Sequence, residues 1–258
     1  MKKNTKIIEN FIQVKSWEDA ELQTSGYEEE GLIKALYDVN KKSSLYDHKN
    51  SNLEISEQAF INSSRDLELN FALMRVISEI KKQNISVADV GGGNGYMSFS
   101  AKKIIPWKNW NWTVYESNSI ANFYKEFNVL DSLTWKVNKS QFGINKFDIG
   151  LLSCVLQYIP NPWEVLKNLA LSSKYLIIMR LPLINSKKDI FARQIFSEGV
   201  YHEANASFPV SFFSKSCFYS ELEKHGEIIY SWNTGSEKVT FKGKIVNFEG
   251  VLIKTKSD

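Results

Sequence analysis

The sequence predicts an α/β domain built on a mostly parallel sheet, and three observations carry that expectation. From Ser86 onward, short apolar strands alternate with helical segments, the pattern of parallel strands joined by right-handed crossovers. A glycine-rich turn, "DVGGGNG", stands between the first strand and the first helix of that alternation. The 258 residues, 43% hydrophobic and 24% charged, suffice for one elaborated domain or one domain plus a small appendage.

Taken in order, residues 1–63 are polar and interrupted and read as an N-terminal helical cap. Within them "YEEEGLIKALYDVNKK" places Leu32, Leu36 and Val39 on one helical face, and "HKNSNLEIS" reads as loop. Residues 64–258 form the main domain. Its first helix, "DLELNFALMRVISEIKK", carries a stripe of Leu69, Ala72, Leu73, Val76, Ile77 and Ile80 that core packing explains. Strands follow at "SVADV", "NWTVYE", "LTWKV", "FDIGLLSCV" and "KYLIIMRL", with helices at "YMSFSAKKI", "NSIANFYKEF" and "PWEVLKNLAL" between them. After the fifth strand comes an irregular insertion, residues 182–213. A connection of that length in a compact domain is more often a substrate lid than filler. "SKSCFYSELEKHG" is a further helix, and "EIIYSWN" and "KIVNFEGVLIKTK" are closing strands whose short polar connection permits antiparallel pairing.

Composition excludes several classes. A net charge of +3 is too small to argue for nucleic acid. No apolar run is long enough to span a bilayer, and "MKKNTKIIENFIQVKSW" has no signal-peptide core, so a soluble cytoplasmic protein is expected. Cys154 and Cys217 make no metal-type spacing, and Cys154, inside an apolar run, reads as a small buried hydrophobe. Seven Trp and 13% aromatic residues suit a well-filled core or a pocket for a sugar or base.

The glycine loop decides between cofactors. A dinucleotide fingerprint starting at Gly91 needs a small residue where Tyr96 stands, and one starting at Gly92 needs glycine where Asn94 stands. No Gly-Lys-Ser/Thr ending follows, so the Walker loop fails as well. What fits is Asp89 followed by Gly91, Gly93 and Gly95. An acid before the turn repels a pyrophosphate but suits S-adenosylmethionine (SAM), whose amino and sulfonium groups are cationic. The glycines let the backbone approach the ligand, and the helix N-terminus offers N–H groups to the methionine carboxylate. Glu116 closes the next strand, positioned to accept both ribose hydroxyls. Its spacing from Asp89 is longer than the roughly 20 residues usual in dinucleotide folds.

With these residues in place, the chain resembles class I SAM-dependent methyltransferases. It resembles more narrowly a methyltransferase family encoded among bacterial surface-polysaccharide (capsule and lipopolysaccharide) genes. The likeness runs from about Trp17 to Val251 and is carried by "SWEDA" with "SGY", "DVGGGNG", "LLSCVLQYIPNPWEVL" and "NASFPVSFFS". It implies a Rossmann-like class I methyltransferase fold: a seven-stranded, mostly parallel sheet with the last strand antiparallel, an N-terminal helical cap and an insertion after the fifth strand. It also implies SAM as cofactor, S-adenosylhomocysteine (SAH) as product, and Ser153 at the end of the fourth strand among the cofactor contacts. After the third strand, where relatives often carry an acid near the adenine, this chain has "KVNKS", leaving Asn138 as a weaker adenine contact.

The acceptor is less defined. Of the three histidines, His202 lies in the insertion and is the candidate general base. His48 sits in a polar loop, and His225 is explained by a helix end. Tyr158 follows the fourth strand, where methyltransferases of this fold commonly face the reacting methyl, and Gln157 is the neighbouring polar candidate for acceptor contact. Arg180 ends the fifth strand on the ligand edge, suited to clamping a phosphate; Arg193 follows in the insertion, and Lys187 and Lys188 between them read largely as a solvated run. Trp17 and Tyr27 read as core or as stacking residues. The expected substrate is a sugar hydroxyl, or a phosphate or phosphoramidate oxygen, on a small or nucleotide-linked glycan. A non-catalytic SAM-binding or partner-binding module stays open, as does the oligomeric state. An oxidoreductase is disfavoured by the missing third glycine. Nucleic-acid methylation is disfavoured because "QYIPNPW" replaces an Asn-Pro-Pro-aromatic run.

Overall fold

The computed structural model describes residues 10–26, 31–35, 64–127, 133–137, 146–196, 201–202 and 204–256. Five parallel strands form its centre: β2 (Asn84–Val90), β3 (Asn109–Glu116), β4 (Leu133–Val137), β5 (Phe147–Ser153) and β6 (Ser173–Ile184). They lie in the order β4-β3-β2-β5-β6. Their near-continuous apolar runs are those of strands buried on both faces. Helices α2 (Ser64–Glu79), α3 (Tyr96–Ile104) and α4 (Asn118–Phe127) cover one face, burying Leu69, Leu73, Val76, Ala101 and Ile120 against Val87, Trp112 and Leu151. Helices α5 (Pro162–Ser172) and α6 (Lys215–His225) cover the other, with Leu166, Leu169, Phe218 and Leu222 against Leu152 and Ile178. The segments expected from periodicity in this region match these elements to within a few residues, because each helix has one flat apolar sheet face to meet.

In place of the expected seven strands, the described residues form ten. The stretch read as an irregular insertion contains β7 (Ile190–Ile195) and β8 (Ser207–Ser214), which pair antiparallel. The cause is the length of β6. It runs on past Met179, the partner of the last residue of β5, and its exposed backbone groups need a new neighbour. Leu183 and Ile184 find it in Phe213 and Ser214 of β8, in parallel. β1 (Phe11–Gln13) then adds to β7 at the edge, so the segment read as a helical cap also contributes a strand. Helix α1 (Trp17–Leu22) follows, capped by the Ser16 hydroxyl accepting from Asp19 N at 3.2 Å, and it packs on β7 and β8 with Trp17 buried. Residues 31–35 are helical, and Leu32 is buried against Ala206 and Phe208. Tyr27, Leu36, Val39 and His48 lie outside the described residues.

On the far side of β6 the closing strands β9 (Gly226–Phe241) and β10 (Lys244–Thr255) form one long hairpin, with β10 antiparallel to both β6 and β9. Lys242 and Gly243, with φ of 52° and 70°, make the two-residue turn whose twist matches paired strands. The hairpin tip curls over the added strands. Val239, Phe241 and Val246 pack on Ala192, Val210 and Phe212, and the Phe212 and Phe241 rings stack at 4.3 Å. The result is a mixed, curled sheet, and its curl closes one side of a cleft at the C-terminal ends of the parallel strands. No described helix is long and apolar enough to cross a membrane.

Candidate functional site

The glycine loop leaves β2 with three left-handed residues, Gly91, Gly93 and Gly95, at φ of 70°, 55° and 74°. The first and third are also tightly packed. A Cβ on Gly91 would stand 2.3 Å from Val155 Cγ2, and one on Gly95 would stand 2.3 Å from Leu133 Cδ1. A Cβ on Gly93 would meet no described atom within 4 Å, and Gly93 lines the cleft. That open cradle is what close approach of a ligand to the backbone requires. The loop is pinned from both sides: Gly93 N donates to Glu116 Oε1 at 2.8 Å, and the Trp135 indole donates to Gly93 O at 3.0 Å. Glu116, half-buried at the end of β3, also accepts from Ser117 N.

The cleft has a volume of about 740 Å³ and runs continuously from this loop to the added strands. At the loop end its walls are Gly91, Gly93, Glu116 and Ser153, with Ile120 and Tyr124 of α4 as an apolar flank. The Ser153 hydroxyl is buried there with no hydrogen-bond partner among the described residues. Asp89 contributes no surface to the cleft. It is fully buried beneath the loop and accepts from the Trp112 indole at 2.9 Å. Burial pushes its carboxyl up to about 7, opposed by the Trp112 bond and reinforced by the charge of Glu116. Asn138 lies outside the described residues.

Two non-glycine residues in left-handed conformations line the cleft: Cys154, at φ 56°, just past the end of β5, and Arg180, at φ 59°. Arg180, expected to end its strand, lies within β6, because the strand continues to Ile184. Arg180 sits in a β-bulge. On β10 only Gly250 separates the partners of Ile178 and Leu181, so Met179 and Arg180 together oppose one residue. Bulges re-aim side chains beside sites, and this one gives the guanidinium to the cleft. Cys154 N donates to Met179 O at 2.9 Å, locking the end of β5 to the bulge. Cys154 is half-buried and faces the cleft, which corrects its reading as an enclosed hydrophobe: the chain turns over at the strand end.

The 3-10 turn Leu156–Tyr158 carries Gln157 and Tyr158 into the cleft. Tyr158 donates its hydroxyl to Gln194 Oε1 of β7 at 2.8 Å. Beyond it the far half is walled by Phe11, Phe196, Phe212, Phe248 and Tyr201. Burial holds the phenols of Tyr158 and Tyr201 above their usual range. Cys154 reinforces this for both and Arg180 opposes it, so at neutral pH both hydroxyls stay protonated donors. Tyr201 also lies within electrostatic reach of Glu116, which links the two ends of the cleft.

The structure therefore brings Gly91, Gly93, Glu116, Ser153, Tyr158 and Arg180 to one cleft, while Asp89 and Gly95 support it from below. His202 stands apart: it is exposed, outside the cleft lining, with Nδ1 2.9 Å from Phe196 O. Its neighbour Tyr201 faces inward instead. Lys187 and Lys188 are exposed, and Arg193 reaches Gln23 O at 3.5 Å. Sequence reasoning passed over Tyr201, Cys154, Phe11 and Trp135. Tyr201 was legible as the aromatic beside His202. Phe11 lies in the segment outside the family resemblance and carried no signal.

No family model matches the sequence, and no curated protein matches it either. Solved structures do match. The N-terminal domain of EvdMO1 with SAH bound aligns at a TM-score of 0.55, with 11% identity over 87% of this chain and 96% of that one. The same domain in the presence of SAH and D-fucose aligns at 0.51, with 12% identity over 73% and 83%. The chain shares this methyltransferase-like α/β fold. A magnesium protoporphyrin IX methyltransferase (ChlM) from Synechocystis PCC 6803 with bound SAH aligns at 0.47, with 10% identity over 87% and 96%.

Proposed function

We propose that the chain is a SAM-dependent O-methyltransferase in bacterial capsule or lipopolysaccharide biosynthesis. Its acceptor is a small or nucleotide-linked molecule bearing a sugar hydroxyl or a phosphate or phosphoramidate oxygen. The observation that carries the reading is the single cleft with Gly93, Glu116 and Ser153 at one end and Arg180 and Tyr158 at the other. The residues at the first end fit the cofactor: an open glycine face, a strand-end carboxylate for the ribose hydroxyls, and an unpartnered buried hydroxyl. Crystals of the EvdMO1 domain with SAH support the same choice.

Bound SAM supplies an electrophilic methyl on a sulfonium whose departure needs no proton. The protein's part is then to orient the acceptor oxygen and exclude water. Arg180 holds an anionic oxygen against the aromatic wall, and Tyr201 donates a hydrogen bond without removing a proton, while the single proton of Tyr158 is held by Gln194 Oε1. Asp89 acts from beneath, fixing Trp112 and the turn. An alcohol acceptor would demand a base near the cleft. The exposure of His202 and the position of Arg180 support the anionic oxygen. SAH is expected to raise the melting temperature and NAD to leave it unchanged. Incubation with SAM and candidate sugar nucleotides should then yield a product heavier by one CH2. No shift with millimolar SAH, or an equal shift with NAD, refutes the proposal.

A further inference from the structure

Gln157 is the most informative polar group in the cleft that the cofactor reading leaves unused. It is 1% exposed, yet it belongs to the cleft lining. Its Nε2 donates to Cys154 Sγ at 3.2 Å and to Arg180 O at 3.4 Å. A backbone carbonyl can only accept, so this second bond fixes which end of the amide is nitrogen. The carbonyl end, Oε1, is then held in place, buried and without a partner among the described residues. A buried acceptor left unpaired costs about 1–3 kcal/mol, and a ligand donor would recover it.

The surroundings restrict what that ligand can be. The far half is walled by Phe11, Phe196, Phe212 and Phe248, with Val210 and Val239 between them. Its described polar side chains are Gln157, Arg180, Gln194 and the two tyrosine hydroxyls, and Gln194 Oε1 already accepts from Tyr158. A fully hydroxylated hexose would turn some of its hydroxyls toward these phenylalanine faces, which offer no hydrogen-bond partner, and each one so placed carries the same penalty. An apolar ring face stacked on the phenylalanines carries none.

Resting on the methyltransferase reading above, we propose that Gln157 is a specificity-determining residue. Its Oε1 accepts a hydrogen bond from an O–H or N–H on a sparsely hydroxylated, largely apolar acceptor ring. A deoxysugar and an aromatic ring both have this chemistry.

Calorimetric titration of the SAH-loaded protein tests it with two probe pairs. Methyl β-D-fucopyranoside and methyl β-D-galactopyranoside differ by one hydroxyl. 2-Naphthol and 2-methoxynaphthalene differ by the donor. The fucoside or the naphthol, or both, should bind roughly tenfold more tightly than its mate, and which pair responds identifies the source. Gln157→Leu should reduce the naphthol pair's donor preference to within about twofold and weaken fucoside binding roughly tenfold. Gln157→Met, close in volume, replaces it should the leucine variant not fold. Neither pair showing that preference, a donor preference for the naphthol that survives the substitution at Gln157, or no binding by any probe overturns the inference. In each of those outcomes an intact SAH melting shift leaves the methyltransferase reading standing, whereas loss of that shift in the unmodified protein removes the foundation of both.

Discussion

Alanine at Gly93 separates the ligand-facing glycine of the loop from its packed neighbours. Gly91, Gly93 and, at the distant hairpin turn, Gly243 all have φ between 55° and 70°. An alanine at any of them therefore meets the left-handed penalty of roughly 1–2 kcal/mol. Gly243 is open and lies outside the cleft, so Gly243→Ala measures that penalty alone. Gly93→Ala adds no protein clash, since nothing lies within 4 Å of its Cβ. Gly91→Ala drives a methyl to 2.3 Å from Val155 Cγ2, adding overpacking of about 1–3 kcal/mol. For a domain of this size one kcal/mol moves the melting temperature by about 2–4 °C. Gly93→Ala and Gly243→Ala should thus each lose about 2–8 °C, and Gly91→Ala clearly more. SAH at a hundredfold excess over its dissociation constant stabilises by about 2.7 kcal/mol. That gain should persist in Gly243→Ala and largely vanish in Gly93→Ala, because the new methyl occupies the cradle. Differential scanning fluorimetry with and without SAH reads all four proteins. A full SAH shift in Gly93→Ala, or a Gly93→Ala melting loss equal to that of Gly91→Ala, refutes the assignment of this glycine to the ligand.

Two further outcomes follow from the geometry. With sugar-nucleotide acceptors, Arg180→Ala should lower kcat/KM by about two orders of magnitude, as loss of a charge on the reacting oxygen does, while His202→Ala stays within about threefold of the parent. Steady-state methyl transfer measures both, and the reverse ranking would favour an alcohol acceptor with a histidine base. Asp89 makes stability depend on pH in a defined sense. Its carboxyl is raised from 3.8 to about 7 in the folded state, so between those values the native protein binds the extra proton and stability falls as pH rises. Asp89→Asn, which keeps an acceptor for Trp112, should therefore be more stable than the parent at pH 8 and converge with it toward pH 4. Urea unfolding across that range checks this, and parallel pH profiles would contradict it.

The central layer was legible because each of its elements announces itself locally. α4 reads as a helix from the spacing of Ile120, Ala121 and Tyr124, and β4 from the alternation of Leu133 and Trp135, without reference to any other part of the chain. The glycine loop was legible for a related reason: left-handed φ at Gly91, Gly93 and Gly95 is a property that residue type reveals. Cys154 and Arg180 adopt the same conformation with ordinary side chains, so nothing in their identity marks them. The bulge at Arg180 exists because β10 runs one residue short of β6, a register that two distant segments settle together.

The sequence by itself determined the alternation of strand and helix, the glycine turn, and the acids Asp89 and Glu116 near the strand ends, since each rests on residue type and short-range spacing. Tertiary structure alone decided which of these face a ligand. The overhang of β6 recruited β8, β8 brought β7 and β1, and the β9–β10 tip curled over them, so that Phe11, Tyr201 and Phe248 came to wall a cleft opposite Gly93. Backbone groups left unpaired at a strand end must find partners, and which partners they find depends on segments far away in the chain. That is why the site's glycines, and Gln157 as an acceptor-side candidate, could be named from sequence, while the aromatic wall and the fixed orientation of the Gln157 amide could not be assigned before the chain had folded.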